Sequence, residues 1–140
     1  MKPEALVERE VLAWAFMNGW CVNVFDSGKI VRDKKAHENT GLPSGCSDLV
    51  GNDNNGLAVY VELKDPKKDK VCRLSQHQFL SRKIESNAFA CVVSSSKRLE
   101  EIYSTWLSLR GDMKKARAFL KAQLPTKVLV GKKILNLQEP

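Results

Sequence analysis

Histidine, paired cysteine and long apolar runs are what this chain of 140 residues has least of. Its two histidines, His37 and His77, stand at ligand spacing from neither a cysteine nor each other. The four cysteines, Cys21, Cys46, Cys72 and Cys91, include no CxxC or CxxH pair. A structural zinc clamp is therefore not expected. Cys21, Cys46 and Cys91 lie in or beside apolar stretches, where a reduced thiol acts as a small hydrophobe. No run approaches the roughly 18 apolar residues of a membrane span, and the opening MKPEALVERE has no apolar stretch of signal-peptide length. The expected setting is the cytoplasm, that of the host if the chain is viral, with no membrane partner. Acidic residues are also in deficit, 16 against 23 Lys and Arg. The resulting charge of +7 and pI near 9.3 point to a polyanionic partner, most simply nucleic acid.

An apolar fraction of 43% in this length supports one domain, with a core over about residues 3–110 and an extension over 111–140. From Pro3 to Asn18, Leu6, Val7, Val11, Leu12, Trp14, Ala15 and Phe16 fall near helical spacing, with Asn18-Gly19 as the exit. Trp20–Phe25 reads as a strand, and residues 29–44 as a long loop of the kind that often carries function. A short strand around Ser47–Val50, a polar turn over Gly51–Gly56 and a strong strand over Ala58–Leu63 follow. Leu74, Phe79, Leu80 and Ile84 mark a second helix, with Ser75 and Gln78 fitting a capping box and Asn87 a stop. Phe89–Ser94 reads as a strand and Lys97–Leu109 as a third helix. Asp112–Leu124 reads as a basic helix, and Lys127–Leu137 as a strand or a hairpin about Gly131. The order implies an α/β fold, a mixed central sheet flanked by helices.

The chemistry concentrates in SDLVGNDNNGLAVYVELK, Ser47 to Lys64. Paired residues of a hairpin have numbers with a constant sum, and a turn centred near Asn54 or Asn55 sets Asp48 roughly opposite Glu62. The two-residue strand period puts Glu62 and Lys64 on one face. Two carboxylates brought together in a partly buried place repel unless a cation compensates. Hard oxygen ligands select Mg²⁺, with Mn²⁺ as substitute, and the Leu63 carbonyl offers a further oxygen. An ammonium beside such an ion is suited to orienting a water or stabilising charge on a phosphate. The tripeptide ELK alone more often marks a solvated strand. The register, the apolar LAVYVEL and the basic charge reverse that balance.

Ser47-Asp48 and Glu62-Leu63-Lys64 resemble the core motif of the PD-(D/E)XK nuclease superfamily. More narrowly, VEREVLAWAFMNGWCVNVFDSG (Val7–Gly28) and RLSQHQFLSRKIESNAFACVVSS resemble the virus-type replication-repair nucleases (VRR-NUC) and the archaeal-type Holliday-junction resolvases. The likeness spans about Val7 to Ser95, with Ser47 standing where proline is usual and Pro43 displaced upstream. It implies a restriction-endonuclease-like core. It also implies catalytic roles for Glu8, Asp48, Glu62, Lys64 and Gln76, with metal held by Glu8, Asp48, Glu62 and the Leu63 carbonyl. Glu8, eleven residues before Gly19, is preferred to Glu10 on spacing, while Gln78 competes with Gln76.

The implied activity is hydrolysis of DNA phosphodiesters by water, in branched DNA such as Holliday junctions, by a homodimer with two sites. Cleavage of linear duplex or RNA, and a non-catalytic DNA-binding module, are the rivals. Ser27, Lys29, Arg32, Lys34 and Lys35 before the motif, and Lys67, Lys68 and Arg73 after it, would contact phosphates. Lys114, Lys115, Arg117 and Lys121 read more simply as a solvated helix face.

Overall fold

A computed structural model describes residues 3–25, 45 and 47–137. Helix α1 spans Pro3–Met17 and buries Val7, Val11 and Ala15, a stripe at four-residue intervals. Strand β1 (Cys21–Val24) follows, then β2 (Leu49–Asn52), β3 (Ala58–Leu63) and the three-residue β4 (Val71–Arg73). Helix α2 (Leu74–Glu85) leads to β5 (Phe89–Val93), α3 (Ser96–Leu109), α4 (Met113–Gln123) and the hairpin of β6 (Lys127–Val130) and β7 (Lys133–Asn136). No helix among the described residues is long and apolar enough to cross a membrane.

The protein is mixed α/β, and its described residues form four helices and two mixed sheets in place of the single central sheet that the sequence suggests. In the first sheet the order is β1-β2-β3-β5. The first two pairings are antiparallel and the last is parallel. In the second, β4 pairs in parallel with β6, and β6 antiparallel with β7. Strand β4 is too short, and too close behind a Lys-rich turn, to show a periodicity of its own. It exists because β6 supplies a ladder for it.

Strands β3 and β5 are apolar because they are covered on both sides, as parallel neighbours usually are. Every residue of β5 is buried, and in β3 so are Val59, Val61, Glu62 and Leu63. The core joins these strands to Leu80 and Ile84 of α2, Leu99, Ile102 and Trp106 of α3, and Ala116 and Leu120 of α4. Trp20, Phe89, Tyr103 and Trp106 meet largely edge to face, with the Trp20 and Tyr103 ring centres 4.9 Å apart. That geometry suits the ring quadrupoles.

The β2–β3 pairing is Leu49↔Val61 through Asn52↔Ala58, a constant sum that agrees with the register inferred from the sequence. The strand runs further than expected, taking in Gly51 and Asn52 and leaving a turn over residues 53–57. Asp53 organises that turn. Its Oδ1 accepts the Asn55 and Leu57 N–H groups at 2.9 and 2.8 Å, and its Oδ2 accepts the Tyr103 hydroxyl at 2.7 Å. Helix α2 departs from expectation at its start. Arg73 is the N-cap, and Gln76, three residues on, accepts the Arg73 N–H, so the proposed Ser75–Gln78 box is not formed. At its end Asn87 takes φ +69°, and the N–H groups of Asn87 and Ala88 close on the Ile84 and Lys83 carbonyls, as its sequence position implies.

Gly51 shows how tightly the first sheet is built. A Cβ there would lie 2.0 Å from the Cys21 carbonyl oxygen and 2.7 Å from the Val22 Cα, both main-chain atoms of β1. Nothing would lie within 4 Å of a Cβ on Gly111. Gly51→Ala is therefore expected to cost about 2 kcal/mol or more in urea denaturation, while Gly111→Ala stays within about 0.5 kcal/mol of the parent. Equal effects at the two positions would contradict the β1–β2 packing.

Candidate active site

Strand pairing carries Asp48 to the site. The ladder Val24↔Leu49 continues one step as the Phe25 N–H donates to the Asp48 carbonyl at 2.7 Å, and one rung past Leu49↔Val61 lies the pair Asp48 and Glu62. The Asp48 carboxylate is anchored there by the Leu63 N–H, 2.8 Å from Oδ2. Ser47, fully buried, donates its hydroxyl to the Leu49 carbonyl at 3.1 Å, so the residue standing in the usual proline position is also fixed. The Leu63 side chain belongs to the core and leaves only its main chain to the site.

Glu62 is 2% exposed and Gln76 3%. The Gln76 amide spans the motif. Its Nε2 donates to Glu62 Oε1 at 3.1 Å, and its Oε1 accepts from Lys64 Nζ at 3.3 Å and from the Arg73 N–H at 3.0 Å. This orientation follows from chemistry, since the reverse would set an amide NH₂ against an ammonium and leave two acceptors facing each other. Glu62 Oε2 is buried with no hydrogen-bond partner. Desolvation pushes the Glu62 pKa up to about 10. The neighbouring Asp48 carboxyl, close enough to share a proton with it, adds to the rise; Lys64 opposes it, and the charge of Glu4 adds slightly. Cys72, on the β4 strand nearby, is likewise raised, to about 11, first by burial. Glu62 influences that thiol in one direction and Lys64 in the other.

The α1 glutamates differ in what they contact. Glu10 Oε1 accepts the Ser96 hydroxyl at 2.6 Å and the Ser96 N–H at 3.2 Å, tying α1 to the start of α3. Glu8 is half-buried. Glu4, one turn before it on the same helix face, is the α1 residue whose charge acts on Glu62. The sequence motif does not include Glu4, although its four-residue spacing from Glu8 is a signal that would have found it.

Of the residues expected to be catalytic, Asp48, Glu62, Lys64 and Gln76 are thus brought together. Among the described residues no three or more His, Cys, Asp or Glu side chains form one metal-holding group, so Glu8 does not complete such a cluster with the Asp48–Glu62 pair. Gln78 is exposed and lines a surface depression with His77, Ser81 and Arg82. Lys67 and Lys68 are exposed in the turn after β3, where Asp65 accepts both of their main-chain N–H groups, and Arg73 is exposed at the head of α2. Ser27, Lys29, Arg32, Lys34 and Lys35 lie outside the described residues. Cys72 and Cys91 are free and buried, whereas Cys21 is free but exposed on β1, an edge strand, contrary to its apolar sequence setting.

No family model matches the chain, and no curated protein or solved structure was found to match it.

Chemically, the site is an acid pair whose inner member has one oxygen tied and one left over. A divalent cation fits this donor set. Mg²⁺ commonly takes only one or two protein carboxylates and keeps the rest of its shell as water, so a full protein cage is not required. The carboxylates would hold the ion, and the Lys64 ammonium lies beside them through Gln76.

Because Glu62 has a folded pKa above its unfolded value, its contribution to stability is complete below about pH 4.5 and is lost as pH rises towards 10. In EDTA the Tm difference between the parent and Glu62→Gln is expected to widen in favour of the variant from about pH 5 to pH 9. Thermal unfolding by circular dichroism would measure it. Parallel profiles would show that Glu62 is not a buried titrating group.

Proposed function

We propose that the chain is a divalent-metal-dependent nuclease with a restriction-endonuclease-like core, hydrolysing DNA phosphodiesters in branched DNA such as four-way junctions. The observation that carries this reading is the buried Glu62 carboxylate, set beside Asp48 with Oε2 unpartnered and joined through Gln76 to Lys64. A purely structural role in that position would be served by a neutral side chain, and without an ion the raised pKa keeps Glu62 itself protonated near neutral pH. A cation-binding acid needs the open oxygen. The resemblance of the Ser47–Lys64 motif to the PD-(D/E)XK nucleases supports the same reading, as does the basic charge.

In this mechanism Asp48 and Glu62 would hold Mg²⁺ or Mn²⁺, with the Leu63 carbonyl as a main-chain donor and Glu8 acting through water. The ion, when bound, supplies Lewis acidity towards the phosphate and lowers the pKa of water. Lys64 orients the attacking water and offsets charge developing on the phosphoryl oxygens. Gln76 keeps the ammonium beside the acid pair by accepting a hydrogen bond from it while donating one to Glu62, so each group's position depends on the other. Water is the nucleophile, and the protein forms no covalent bond to DNA. A junction presents two symmetry-related strands, which a homodimer in the cytoplasm would cut at two sites.

Labelled four-way junction, flap, linear duplex, single strand and RNA, incubated with the purified protein in Mg²⁺ or Mn²⁺, test the proposal. The junction is expected to be cut best. Asp48→Asn and Lys64→Ala should each lower the rate by about 10²- to 10⁴-fold. Mg²⁺ should also raise the Tm of the parent and leave that of Asp48→Asn unchanged, because an ion that binds only the native state stabilises it. Absence of cleavage of every substrate, or full activity of Asp48→Asn, would overturn the mechanism.

A further inference from the structure

The chain's positive charge is not evenly spread. Residues 111–140 hold seven Lys or Arg against two Asp or Glu, which is +5 of the total +7. Part of this is already engaged: Lys121 pairs with Glu85, and Arg117 donates to the Asn87 side chain at 2.7 Å. The β6–β7 hairpin is different. Lys127, Lys132 and Lys133 are all exposed, and residues 127–136 contain no acid.

The second sheet determines where these cations lie. Cα partners share a sheet face, so the register Cys72↔Val128 and Arg73↔Leu129 sorts its residues. Cys72 and Val128 are buried and define the inner face. Arg73 and Lys127, both exposed, lie on the outer one with Leu129 and the 58%-exposed Ile134; the rung Arg73–Leu129–Ile134 runs across the sheet, and Lys127 stands two residues before Leu129. Lys132 stands at the hairpin tip, two residues before Ile134, whereas Lys133, the partner of Val130, belongs to the opposite face. On its β4 side this face approaches the acid pair, because the Arg73 N–H shares the Gln76 oxygen with Lys64.

We propose that the outer face of the second sheet, from the β6–β7 tip to Arg73, is a track that binds the DNA phosphate backbone and leads it to the Asp48–Glu62 site. The proposal rests on the nuclease reading for its direction. The binding itself depends on the charge of this face. Lys127, Lys132 at the tip and Arg73 by the site would each meet phosphates, while Leu129 and Ile134 would lie against sugar edges and read no sequence. The absence of aromatic residues on the face favours a backbone-contacting track over a base-stacking platform. The extension after Gly111 thereby acquires a role, since it builds the sheet that completes β4 and carries the cations.

Fluorescence anisotropy with a labelled duplex in EDTA, over a series of salt concentrations, tests the track without cleavage. Replacing Lys127 and Lys132 together by Gln should weaken binding about fivefold or more at low salt. The slope of log affinity against log salt should become shallower by about 2. Replacing the exposed Lys114 and Lys115 by Gln removes the same charge elsewhere and should leave both nearer the parent. All four positions are exposed, so unchanged thermal unfolding should accompany each result. Failure of the parent to bind DNA, an unaltered hairpin variant, or equal losses in the two double variants would overturn the track. In the last two cases, cleavage by the parent would leave the nuclease reading standing. Binding lost with the hairpin charges by a parent that cuts nothing in Mg²⁺ or Mn²⁺ would sink that reading alone and uphold the track.

Discussion

Everything around the motif accommodates one costly arrangement, a glutamate carboxylate buried next to an aspartate. Removing an ion from water costs several kcal/mol, and a like charge alongside adds to it. The fold offsets this cost in part, with the Gln76 amide on Oε1 and Lys64 beyond it. It holds the pair in place by main-chain geometry: Asp48 is gripped at its carboxylate by the Leu63 N–H and at its carbonyl by that of Phe25. An Asp48 side chain that swung out to solvent would strip the Leu63 N–H of this acceptor, and a Glu62 that did so would strip the Gln76 amide of its acceptor.

The second sheet is tied to the same constraint. Gln76 can reach Glu62 only because α2 begins at Leu74, and α2 begins there because the chain has just left β4. Strand β4 in turn owes its pairing to β6, more than fifty residues later in the sequence. The basic C-terminal extension therefore bears on the position of the Gln76 amide in the candidate site through a three-residue strand. Its core residues agree with this, since Ala116, Leu120 and Leu124 pack into the same apolar cluster as β5 and α2.

What is legible in the sequence divides along the same line. Local patterns are readable: the α1 stripe, the Ala58–Leu63 strand, the Asn87 exit, the Gly131 turn, and the hairpin register that sets Asp48 against Glu62. These depend on neighbours a few residues apart. Strand β4 is not readable, because Val-Cys-Arg carries no periodicity and its partner is distant. The capping residue falls two positions from its expected place for the same reason: Ser75 has the better intrinsic preference, but the strand boundary makes Arg73 the last extended residue. Glu4 escapes a motif because a motif directs attention to one spacing, whereas an electric field acts on every charge within reach. Choosing Gln76 over Gln78 needs the helix phase, which the strand boundary sets.

The protein contains its own comparison for judging Glu62. Asp53 is buried almost as deeply, at 4% exposure, and it too sits at the end of a β2–β3 rung. Its two oxygens receive three donors, two from the turn and one from Tyr103. It is an acid used as a structural acceptor, with its charge spread over the hydrogen bonds it receives. Glu62, at the opposite end of the same hairpin, has one donor, an orphan oxygen and another carboxyl as neighbour. The chain can satisfy a buried carboxylate, and at Asp53 it does so with main-chain N–H groups and a hydroxyl. Leaving Glu62 unsatisfied a few rungs away is thus not a limit of the fold. It is the arrangement that a cation-binding role requires, since a further donor placed on Oε2 would stabilise the protein and close the position where a metal would bind.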